Sequence, residues 1–300
     1  MSAIHPGDAL HRLRNQAPLV HNITNYVAMN PMANILLAAG CSPAMVHAPE
    51  EVAEFAAIAS ALTINIGTLS RPWLEAMLSA AEAARSHQRP WVLDPVAAGA
   101  TRFRREAATR LLELQPTVIR GNASEILALG NNAEVDAAAE VKGRGVDANN
   151  PVAAAAAIAV ALAKRHNAVV AVTGPMDWVT DGRRAAHICN GHPLMPRVTA
   201  LGCSLTGIVG GFLGAGCDPY EGTLAALSYY GAAGEWAATD ERWSVRGPGS
   251  FAVAFIDALA LMTADDLDRA ARIETMARAD SPSTQAAMQE KIGAGTGTAT

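Results

Sequence analysis

The chain has 300 residues, of which 50% are hydrophobic and 17% are charged. This composition predicts a folded protein with a large core, because disordered chains are poor in apolar residues. The net charge is −5 and no basic run stands out, which argues against a nucleic-acid partner. The N-terminus lacks the apolar core of a signal peptide, and no apolar run reaches the length of a membrane span. We therefore expect a cytoplasmic protein with reduced thiols and no membrane contact.

Segments typical of strands and helices alternate along the chain. Predicted strands cover residues 18–24, 42–47, 61–66, 91–93, 117–120 and 168–172. Predicted helices cover residues 25–39, a segment opening at 49–51, and residues 71–87, 103–114, 124–129 and 153–165. This alternation predicts an α/β fold with a mostly parallel central sheet and helices on both faces.

The second half of the chain departs from this alternation. Residues 178–189 contain Asp181-Gly182 between extended runs, which predicts a β-hairpin at a sheet edge. The chain is predicted to be helical after the turn near residue 200, as far as about residue 271. Residues 130–150 are polar and predict a loop, and the small, polar residues 280–300 predict a disordered tail. We expect a single domain over residues 1–279.

The segment Pro196–Phe212, PRVTALGCSLTGIVGGF, is the most informative in the sequence. A short β-branched run ends at Val198-Thr199, and an apolar stretch of helical length follows from Ser204. Gly202 and Cys203 are therefore predicted at a helix N-terminus, where unpaired backbone N–H groups and the helix dipole favour an anion. The alternative is that the glycines of this stretch only permit close helix packing: Gly210, Gly211 and Gly214.

Polar and glycine residues recur where the predicted strands end. They are Thr24-Asn25, Gly67-Thr68, Asp94-Pro95, Arg120-Gly121-Asn122 and Thr173-Gly174. Ligands of open α/β sheets bind outside the carboxyl ends of the strands, so these positions predict one ligand site. Arg120 ends an apolar strand and needs an anionic partner, either a carboxylate such as Glu125 or a phosphate.

Two acidic residues of this set allow two interpretations each. Asp94 either caps a helix or turn, or holds Mg²⁺, which takes few protein ligands and keeps waters and phosphates for the rest. Glu125 lies three residues after Asn122, so the pair is either a reciprocal helix cap or a part of the metal site.

Several segments together resemble the hydroxyethylthiazole kinases of thiamine salvage, within the ribokinase-like fold. They include PLVHNITNYV, ANILLAAGCSPAM, INIGTLS, VLDPVAAGAT, IRGNASEI, AVTGPMD, NGH, TALGCSLT and GPGSF, from about Pro18 to Phe251. The resemblance implies transfer of the ATP γ-phosphate to the alcohol of 4-methyl-5-(2-hydroxyethyl)thiazole in thiamine biosynthesis. It also implies a homotrimer with active sites at the subunit interfaces.

The same resemblance implies roles for individual residues. The thiazole contacts would be Met45 and Ala200, with Asn25, Gly67 and Pro95 lining the pocket. The ATP contacts would be Arg120 and Thr173, and the residues that organise Mg²⁺ would be Asp94 and Glu125. Cys203 matches the cysteine that stands where many ribokinase-like sugar kinases carry a catalytic aspartate. The anion hole would be formed by the backbone of Ala200, Leu201, Gly202 and Cys203.

One turn departs from the family pattern. The family usually has GTGC or GAGC where this chain has Ala200-Leu201-Gly202-Cys203. An alanine at the first position costs little at negative φ and is strained at positive φ. Leu201 is bulkier than the usual residue and is expected to narrow the mouth of the pocket.

Two roles are open for Cys203. A helix N-terminus lowers the pKa of a thiol, which would allow Cys203 to act as the base that takes the proton of the acceptor hydroxyl. Nearby phosphates oppose that shift, in which case the thiol only orients the hydroxyl.

Three other functions compete with this hypothesis. One is a kinase of the same fold acting on a hydroxymethylpyrimidine or on pyridoxal. Another is a thiol enzyme with Cys203 as the nucleophile, and the third is a binding protein without catalysis.

Overall fold

The computed structural model describes residues 5–132 and 151–276. The strands are β1 (Leu19–Ile23), β2 (Ser42–Ala44), β3 (Ala61–Asn65), β4 (Trp91–Asp94), β5 (Val118–Asn122), β6 (Val169–Thr173), β7 (Asp177–Thr180), β8 (Ala185–Ile188) and β9 (Ile273–Met276). The helices are α1 (Pro6–Gln16), α2 (Met29–Ala39), α3 (Val52–Ile58), α4 (Arg71–Ser86), α5 (Arg102–Leu112), α6 (Ala123–Asn132), α7 (Pro151–His166), α8 (Leu201–Gly214), α9 (Pro219–Thr239), α10 (Pro248–Leu261) and α11 (Ala264–Ala270).

In the described residues these strands form one nine-stranded sheet, in the order β2-β1-β3-β4-β5-β6-β7-β8-β9. The pairs from β2 to β6 are parallel, and the pairs from β6 to β9 are antiparallel. The predicted mostly parallel sheet is confirmed. Because the parallel strands all point the same way, their carboxyl ends meet at one edge, where the predicted site residues lie.

Two hydrophobic cores lie on opposite faces of the sheet. Successive strand residues alternate between them: Val92 and Val118 pack with α1, α2, α8, α9 and α10, whereas Leu93 and Ile119 pack with α3 to α7. A strand that is buried on both faces is mostly apolar, which is why residues 91–93 of β4 and 169–172 of β6 appear in the sequence as apolar runs.

Helix α8 packs very closely on the sheet. A Cβ added at Gly210 would lie 2.6 Å from Thr63 Cγ2, and one at Gly211 would lie 2.7 Å from Cys41 Sγ. Real Cβ atoms do not come that close, so any larger residue would push the helix away from β1 and β3. The close-packing interpretation of these glycines is therefore confirmed, and it does not conflict with an anion site at the other end of the helix.

Some predicted elements differ from the structure. The β-branched run that ends at Val198-Thr199 follows a 3-10 helix, Met195–Arg197, which the sequence did not predict. The predicted hairpin is β7 and β8, but β9 pairs with β8, so the hairpin does not form the edge of the sheet. Helix α2 begins at Met29 and not at Asn25.

Other differences concern the ends of the chain and the loop before α7. Helix α1 was not predicted, although Leu10 and Leu13 are fully buried at helical spacing. Residues 130–132, predicted as loop, end α6, and the rest of the predicted 130–150 loop lies outside the described residues, as does the predicted 280–300 tail. The single domain stays a prediction. No helix in the described part of the chain is both long and apolar enough to cross a bilayer.

Candidate active site

The predicted anion turn opens helix α8. Ala200 is the N-cap residue, Leu201 begins the helix, and Gly202 and Cys203 lie in its first turn. No side chain caps this end. The backbone N–H groups of the first turn therefore lack the partners that an intrahelical bond or a capping side chain would supply, which is the arrangement that binds phosphate groups.

Ala200 has the left-handed backbone conformation, with φ 65° and ψ −2°. This is the strained case of the two that the sequence left open. A left-handed conformation costs an L-residue with a Cβ roughly 1–2 kcal/mol, whereas glycine adopts it freely. Leu201 and Leu205 after the turn are part of the hydrophobic core, and Met195 and Val198 before the turn pack against it, so packing on both sides opposes this strain.

A cavity of about 800 Å³ lies beside this turn. Its walls include Ala200, Leu201 and Gly202 of the turn, and Arg120 and Thr173 at the ends of β5 and β6. Leu201 is also buried in the core beneath the turn, and its carbonyl accepts a hydrogen bond from the Tyr230 hydroxyl (2.9 Å). The predicted narrowing of the pocket mouth by Leu201 stays a prediction.

Arg120 connects three parts of the site. Its guanidinium donates to the Gly202 carbonyl (3.0 Å) and to Thr173 Oγ1 (2.7 Å). Its Nη1 lies 3.7 Å from Asp94 Oδ2. Among the described residues the carboxylate within ion-pair distance of Arg120 is Asp94, and the Arg120 charge also acts on Asp177. The carboxylate that the sequence analysis named, Glu125, forms no such ion pair in the described residues.

Both oxygens of Glu125 accept backbone hydrogen bonds. Oε2 accepts from the N–H of Asn122 (2.8 Å), and Asn122 Oδ1 accepts from the N–H of Glu125 (3.0 Å). The reciprocal cap is therefore present. Oε1 accepts from the N–H of Ala97 (3.0 Å), which ties α6 to the segment after β4. Each carboxylate oxygen keeps a second lone pair, so the cap does not exclude contact with a cation.

Asp94 is buried at the end of β4. Its Oδ2 accepts hydrogen bonds from Asn65 Nδ2 (2.7 Å) and Thr206 Oγ1 (2.9 Å). No described residue donates to its buried Oδ1. The pKa of Asp94 is raised to about 6, mainly by burial and to a lesser extent by the nearby Glu125 charge, while the Arg120 charge and the hydrogen bonds from Thr206 and Asn65 partly oppose the shift.

The carboxylates of Asp94 and Glu125 fit Mg²⁺ that also binds phosphates and waters, and they do not fit a metal ion bound by protein ligands alone. The described residues contain no group of three or more His, Cys, Asp or Glu side chains that would enclose an ion. Mg²⁺ needs only one or two carboxylates when phosphates and waters complete its shell. The unpaired Oδ1 of Asp94 has the free acceptor capacity that such a contact requires.

Cys203 lies at the start of a chain of amide hydrogen bonds. Asn25 Nδ2 donates to Cys203 Sγ (3.2 Å) and to Asn65 Oδ1 (3.0 Å). Burial and the charge of Asp94 raise the pKa of Cys203, and hydrogen bonds from Asn25 and Asn65 and the charge of Arg120 only partly offset them. The pKa lowering expected from a helix N-terminus is therefore wrong for this thiol, because desolvation outweighs it.

Of the five predicted thiazole contacts, Ala200 lines the large cavity, and the other four do not: Asn25, Met45, Gly67 and Pro95. Gly67 packs against Asn25 and Asn65, since a Cβ there would lie 2.9 Å from each side chain. Pro95 is buried directly after Asp94. Met45 is half-buried against the core on the α2 and α8 side. Asn25 and Gly67 meet near Cys203, and the roles of all five predicted contacts stay predictions.

Sequence reasoning missed three polar residues of this region. Asn65 joins Asn25 to Asp94, and Thr206 donates to Asp94 from α8. Asp177 lines the large cavity and accepts from the N–H of Gly174 (2.9 Å); burial raises its pKa to about 6. A signal was available for Asn65, since an asparagine inside the apolar strand ALTINI needs a buried hydrogen-bond partner.

The sequence profile of the Hydroxyethylthiazole kinase family matches residues 10–265 of the chain. The chain belongs to this family. Among its relatives, a hydroxyethylthiazole kinase of Cereibacter sphaeroides is 61% identical over 268 residues, which cover 89% of this chain and 98% of the relative.

Solved structures agree with this family and with the fold. A hydroxyethylthiazole kinase from Pyrococcus horikoshii superposes with a TM-score of 0.78 at 38% identity, covering 90% of this chain and 98% of the other. A ribokinase-like superfamily protein from Enterococcus faecalis superposes with a TM-score of 0.55 at 14% identity, covering 84% of this chain and 93% of the other. The second match bears on the fold alone, which is ribokinase-like as the sequence predicted.

Proposed function

We propose that this chain transfers the γ-phosphate of ATP to the hydroxyl of 4-methyl-5-(2-hydroxyethyl)thiazole, as a step of thiamine biosynthesis. The observation that carries the proposal is the position of the α8 turn in a chain of the hydroxyethylthiazole kinase family. On one side of that turn lies the large cavity with Arg120. On the other side Cys203 contacts Asn25. A donor site and an acceptor site therefore share one turn.

The nucleotide side consists of the cavity, Arg120 and Thr173. Phosphoryl transfer needs positioning and neutralisation of charge more than covalent chemistry. Arg120 supplies a fixed positive charge, and its bonds to Gly202 and Thr173 hold that charge beside the turn. Backbone N–H groups of residues 200–203 stabilise charge on the transferring phosphoryl group.

Mg²⁺ is part of the proposal, with Asp94 and Glu125 as the residues that would hold it. When bound, the ion neutralises charge on the ATP phosphates. Asn65 and Thr206 fix Oδ2 of Asp94 by hydrogen bonds and leave Oδ1 for the ion. Glu125 is held in place by its two backbone donors.

The acceptor side comprises Asn25, Met45, Gly67, Pro95 and Ala200. The hydroxyl oxygen forms a bond to the γ-phosphorus while the bond to the bridging oxygen of ADP breaks, and the hydroxyl proton leaves to phosphate or solvent. We assign to the Cys203 thiol the orientation of the hydroxyl, because its raised pKa keeps it protonated at neutral pH. The same raised pKa disfavours the rival function of a thiol nucleophile.

A homotrimer with active sites at the subunit interfaces, in the cytoplasm, completes the proposal. Tyr26 and Val27 follow Asn25 directly, and their side chains are 67% and 58% exposed. Contiguous exposed apolar surface marks protein–protein contacts, and this adjacent pair supports an interface beside Asn25.

The function is tested by measuring ADP formation from ATP and Mg²⁺ with and without the thiazole alcohol. We expect alcohol-dependent ADP and a phosphorylated thiazole identified by mass. Turnover on pyridoxal or a hydroxymethylpyrimidine in place of the thiazole alcohol would assign a different vitamin-precursor kinase. Binding of the alcohol without any turnover would assign a binding protein.

The role of Cys203 is tested by replacement. We expect Cys203→Asp to retain or improve kcat and Cys203→Ala to lose about 10- to 100-fold, because a group at this position orients the attacking oxygen. Equal kcat in the wild type and both variants would remove Cys203 from the mechanism.

A further inference from the structure

Arg104 makes an unusual set of contacts beside the proposed acceptor site. It lies in the first turn of α5, is half-buried, and directs its guanidinium at three backbone carbonyls. Nη1 donates to the carbonyls of Ile66 (2.5 Å) and Val96 (2.9 Å), and Nη2 donates to that of Gly67 (2.6 Å). Its partners in the described residues are thus main-chain oxygens of two segments that are far apart in sequence.

Those two segments follow neighbouring strands of the sheet. Ile66 and Gly67 come directly after β3, and Val96 comes two residues after the end of β4. The β3–β4 register ends at the pair Asn65 and Asp94, and one further backbone hydrogen bond joins the N–H of Ile66 to the Asp94 carbonyl (3.3 Å). Arg104 adds a connection beyond that bond, between Ile66, Gly67 and Val96.

The Gly67 segment is coupled to Cys203 through hydrogen bonds. The N–H of Gly67 donates to Asn65 Oδ1 (2.9 Å), which also accepts from Asn25 Nδ2 (3.0 Å). Asn25 Nδ2 in turn donates to Cys203 Sγ (3.2 Å). Gly67 also packs directly on Asn25, since a Cβ at Gly67 would lie 2.9 Å from Asn25 Cβ. Movement of Gly67 therefore changes the position of Asn25.

An arginine suits this position better than other residues. Its planar guanidinium presents five donors in a fixed geometry and cannot lose its charge, so it binds several carbonyls at once. A lysine ammonium is a compact charge on a flexible stem and reaches fewer of these oxygens in fixed directions. A methionine of similar length fills the space but donates nothing.

We propose that Arg104 is a positioning residue for the acceptor alcohol, acting through Gly67 and Asn25 on Cys203. The proposal rests on the proposed function for the identity of the acceptor. Arg104 holds the segments after β3 and β4 in one arrangement, and this arrangement sets the acceptor side of the site. The nucleotide cavity is lined by other segments, so Arg104 has little influence on ATP binding.

The test compares Arg104→Met and Arg104→Lys with Arg102→Met as a matched control. Arg102 lies in the same turn of α5, but its side chain is 86% exposed and pairs with Glu106 on the surface. For Arg104→Met we expect KM for the alcohol to rise about tenfold or more with a loss of kcat, because small misplacements of reacting groups are costly. We expect KM for ATP to stay within about twofold, Arg104→Lys to be intermediate, and Arg102→Met to match the wild type.

Alkylation of Cys203 gives a second readout that does not need turnover. Iodoacetamide labelling is followed by mass spectrometry, with the half-buried Cys217 of the same chain as the internal reference. We expect Arg104→Met to change the Cys203-to-Cys217 labelling ratio several-fold and Arg102→Met to leave it unchanged. This ratio tests Arg104 even if the wild type phosphorylates none of the alcohols, an outcome that would overturn only the proposed function.

Two outcomes overturn the inference. An alcohol KM and a Cys203 labelling ratio that do not change in Arg104→Met would show that the three hydrogen bonds do not set the acceptor side. Parallel losses of alcohol and ATP binding in both Arg104 variants would show that the residue serves the fold as a whole. Binding of ADP by each variant, measured by calorimetry, distinguishes the second outcome from a selective effect.

Discussion

Ala200 combines a strained backbone with a place in the proposed anion hole. Its φ of 65° lies in the region where glycine is favoured, and the family usually has glycine there. The backbone N–H groups that bind a phosphate do not depend on the side chain, so the alanine changes the stability of the turn more than its chemistry. The effect of the alanine on folding stability can therefore be measured separately from its effect on phosphate binding.

We expect Ala200→Gly to raise the free energy of unfolding by about 0.5–1 kcal/mol. Release of the left-handed strain gains roughly 1–2 kcal/mol, and the greater freedom of glycine in the unfolded chain returns about 0.4–1 kcal/mol of it. Thermal or urea unfolding measures the change. Ala271→Gly is the control, because Ala271 has φ −64° and should only be destabilised. If Ala200→Gly and Ala271→Gly were destabilised equally, the backbone strain at Ala200 would be contradicted.

His21 is fully buried, and its surroundings predict a pH effect on stability. Its Nε2 lies 2.8 Å from the Val46 carbonyl, which can only accept, and burial lowers its pKa to about 4. The unfolded chain, with an ordinary pKa near 6.5, binds a proton more readily than the folded one. The folded state therefore loses stability as the pH falls below about 6.5, and this loss levels off below about 4.

When the pH is lowered from 7.5 to 4.5, we expect the titration of His21 to lower the free energy of unfolding by about 2–3 kcal/mol. His21→Gln should lessen the loss by that amount, because glutamine can donate to the Val46 carbonyl without titrating. Urea unfolding at the two pH values measures the difference. A variant that loses as much stability as the wild type would show that other groups cause the effect.

Sequence analysis predicted Asp94, Arg120 and Cys203 but not Arg104, for a physical reason. Asp94, Arg120 and Cys203 end strands or begin a helix, so strand polarity alone brings them together. Arg104 lies inside an ordinary helix and binds carbonyls of segments 38 and 8 residues away. Neither the residue type nor its spacing predicts such a contact, because any arginine on that helix face would have the same sequence pattern around it. Only the packing of α5 on the sheet shows it.

At the scale of elements, helix α9 supports a loop that lines the proposed nucleotide cavity. A Cβ added at Gly231 would lie 2.6 Å from Asn190 Cβ and 2.8 Å from the Asn190 carbonyl carbon. Glu235, one turn further along α9, accepts a hydrogen bond from the N–H of Gly191 (2.7 Å). The loop is therefore held by the close packing of Asn190 on Gly231 and by the hydrogen bond from Gly191 to the Glu235 carboxylate.

We expect Gly231→Ala to raise KM for ATP by about tenfold and to lower the free energy of unfolding by about 1–3 kcal/mol, because backbone has to move to admit the methyl group. Steady-state kinetics and urea unfolding measure both. Gly249→Ala is the control, since no atom lies within 4 Å of an added Cβ there. An unchanged KM for ATP would show that the loop does not contact the nucleotide.

The predictability of the elements follows their burial. β3, β4 and β6 are buried on both faces and were predicted within about one residue at each end. β9 is short and half-exposed, and its pairing with β8 is a contact across more than 80 positions, which no local pattern encodes.

At the scale of the whole molecule, the proposed trimer makes a prediction about the surface. We expect Val27→Glu to yield a monomer in light scattering and to raise KM for the alcohol, because it places a charge among exposed apolar side chains next to Asn25. Leu261→Glu is the matched control. Leu261 is 56% exposed and is the last residue of α10. The last carbonyls of α10 accept hydrogen bonds from Arg14 of α1, and α1 lies before β1 in the chain whereas Asn25 lies after it. Leu261 is therefore at the opposite end of β1 from Asn25. A monomeric wild type would contradict the trimer.

The glycine face of α8 has a consequence for how the protein responds to heat. The helix that carries the proposed phosphate turn lies directly on β1 and β3, without an intervening layer of large side chains. The same sheet carries Asn25, Asn65 and Asp94 at its carboxyl edge. Donor and acceptor groups are thus aligned when the chain folds, and no hinge between them is needed. Catalytic activity and near-UV circular dichroism should therefore disappear at the same temperature; inactivation well below that temperature would indicate a looser junction.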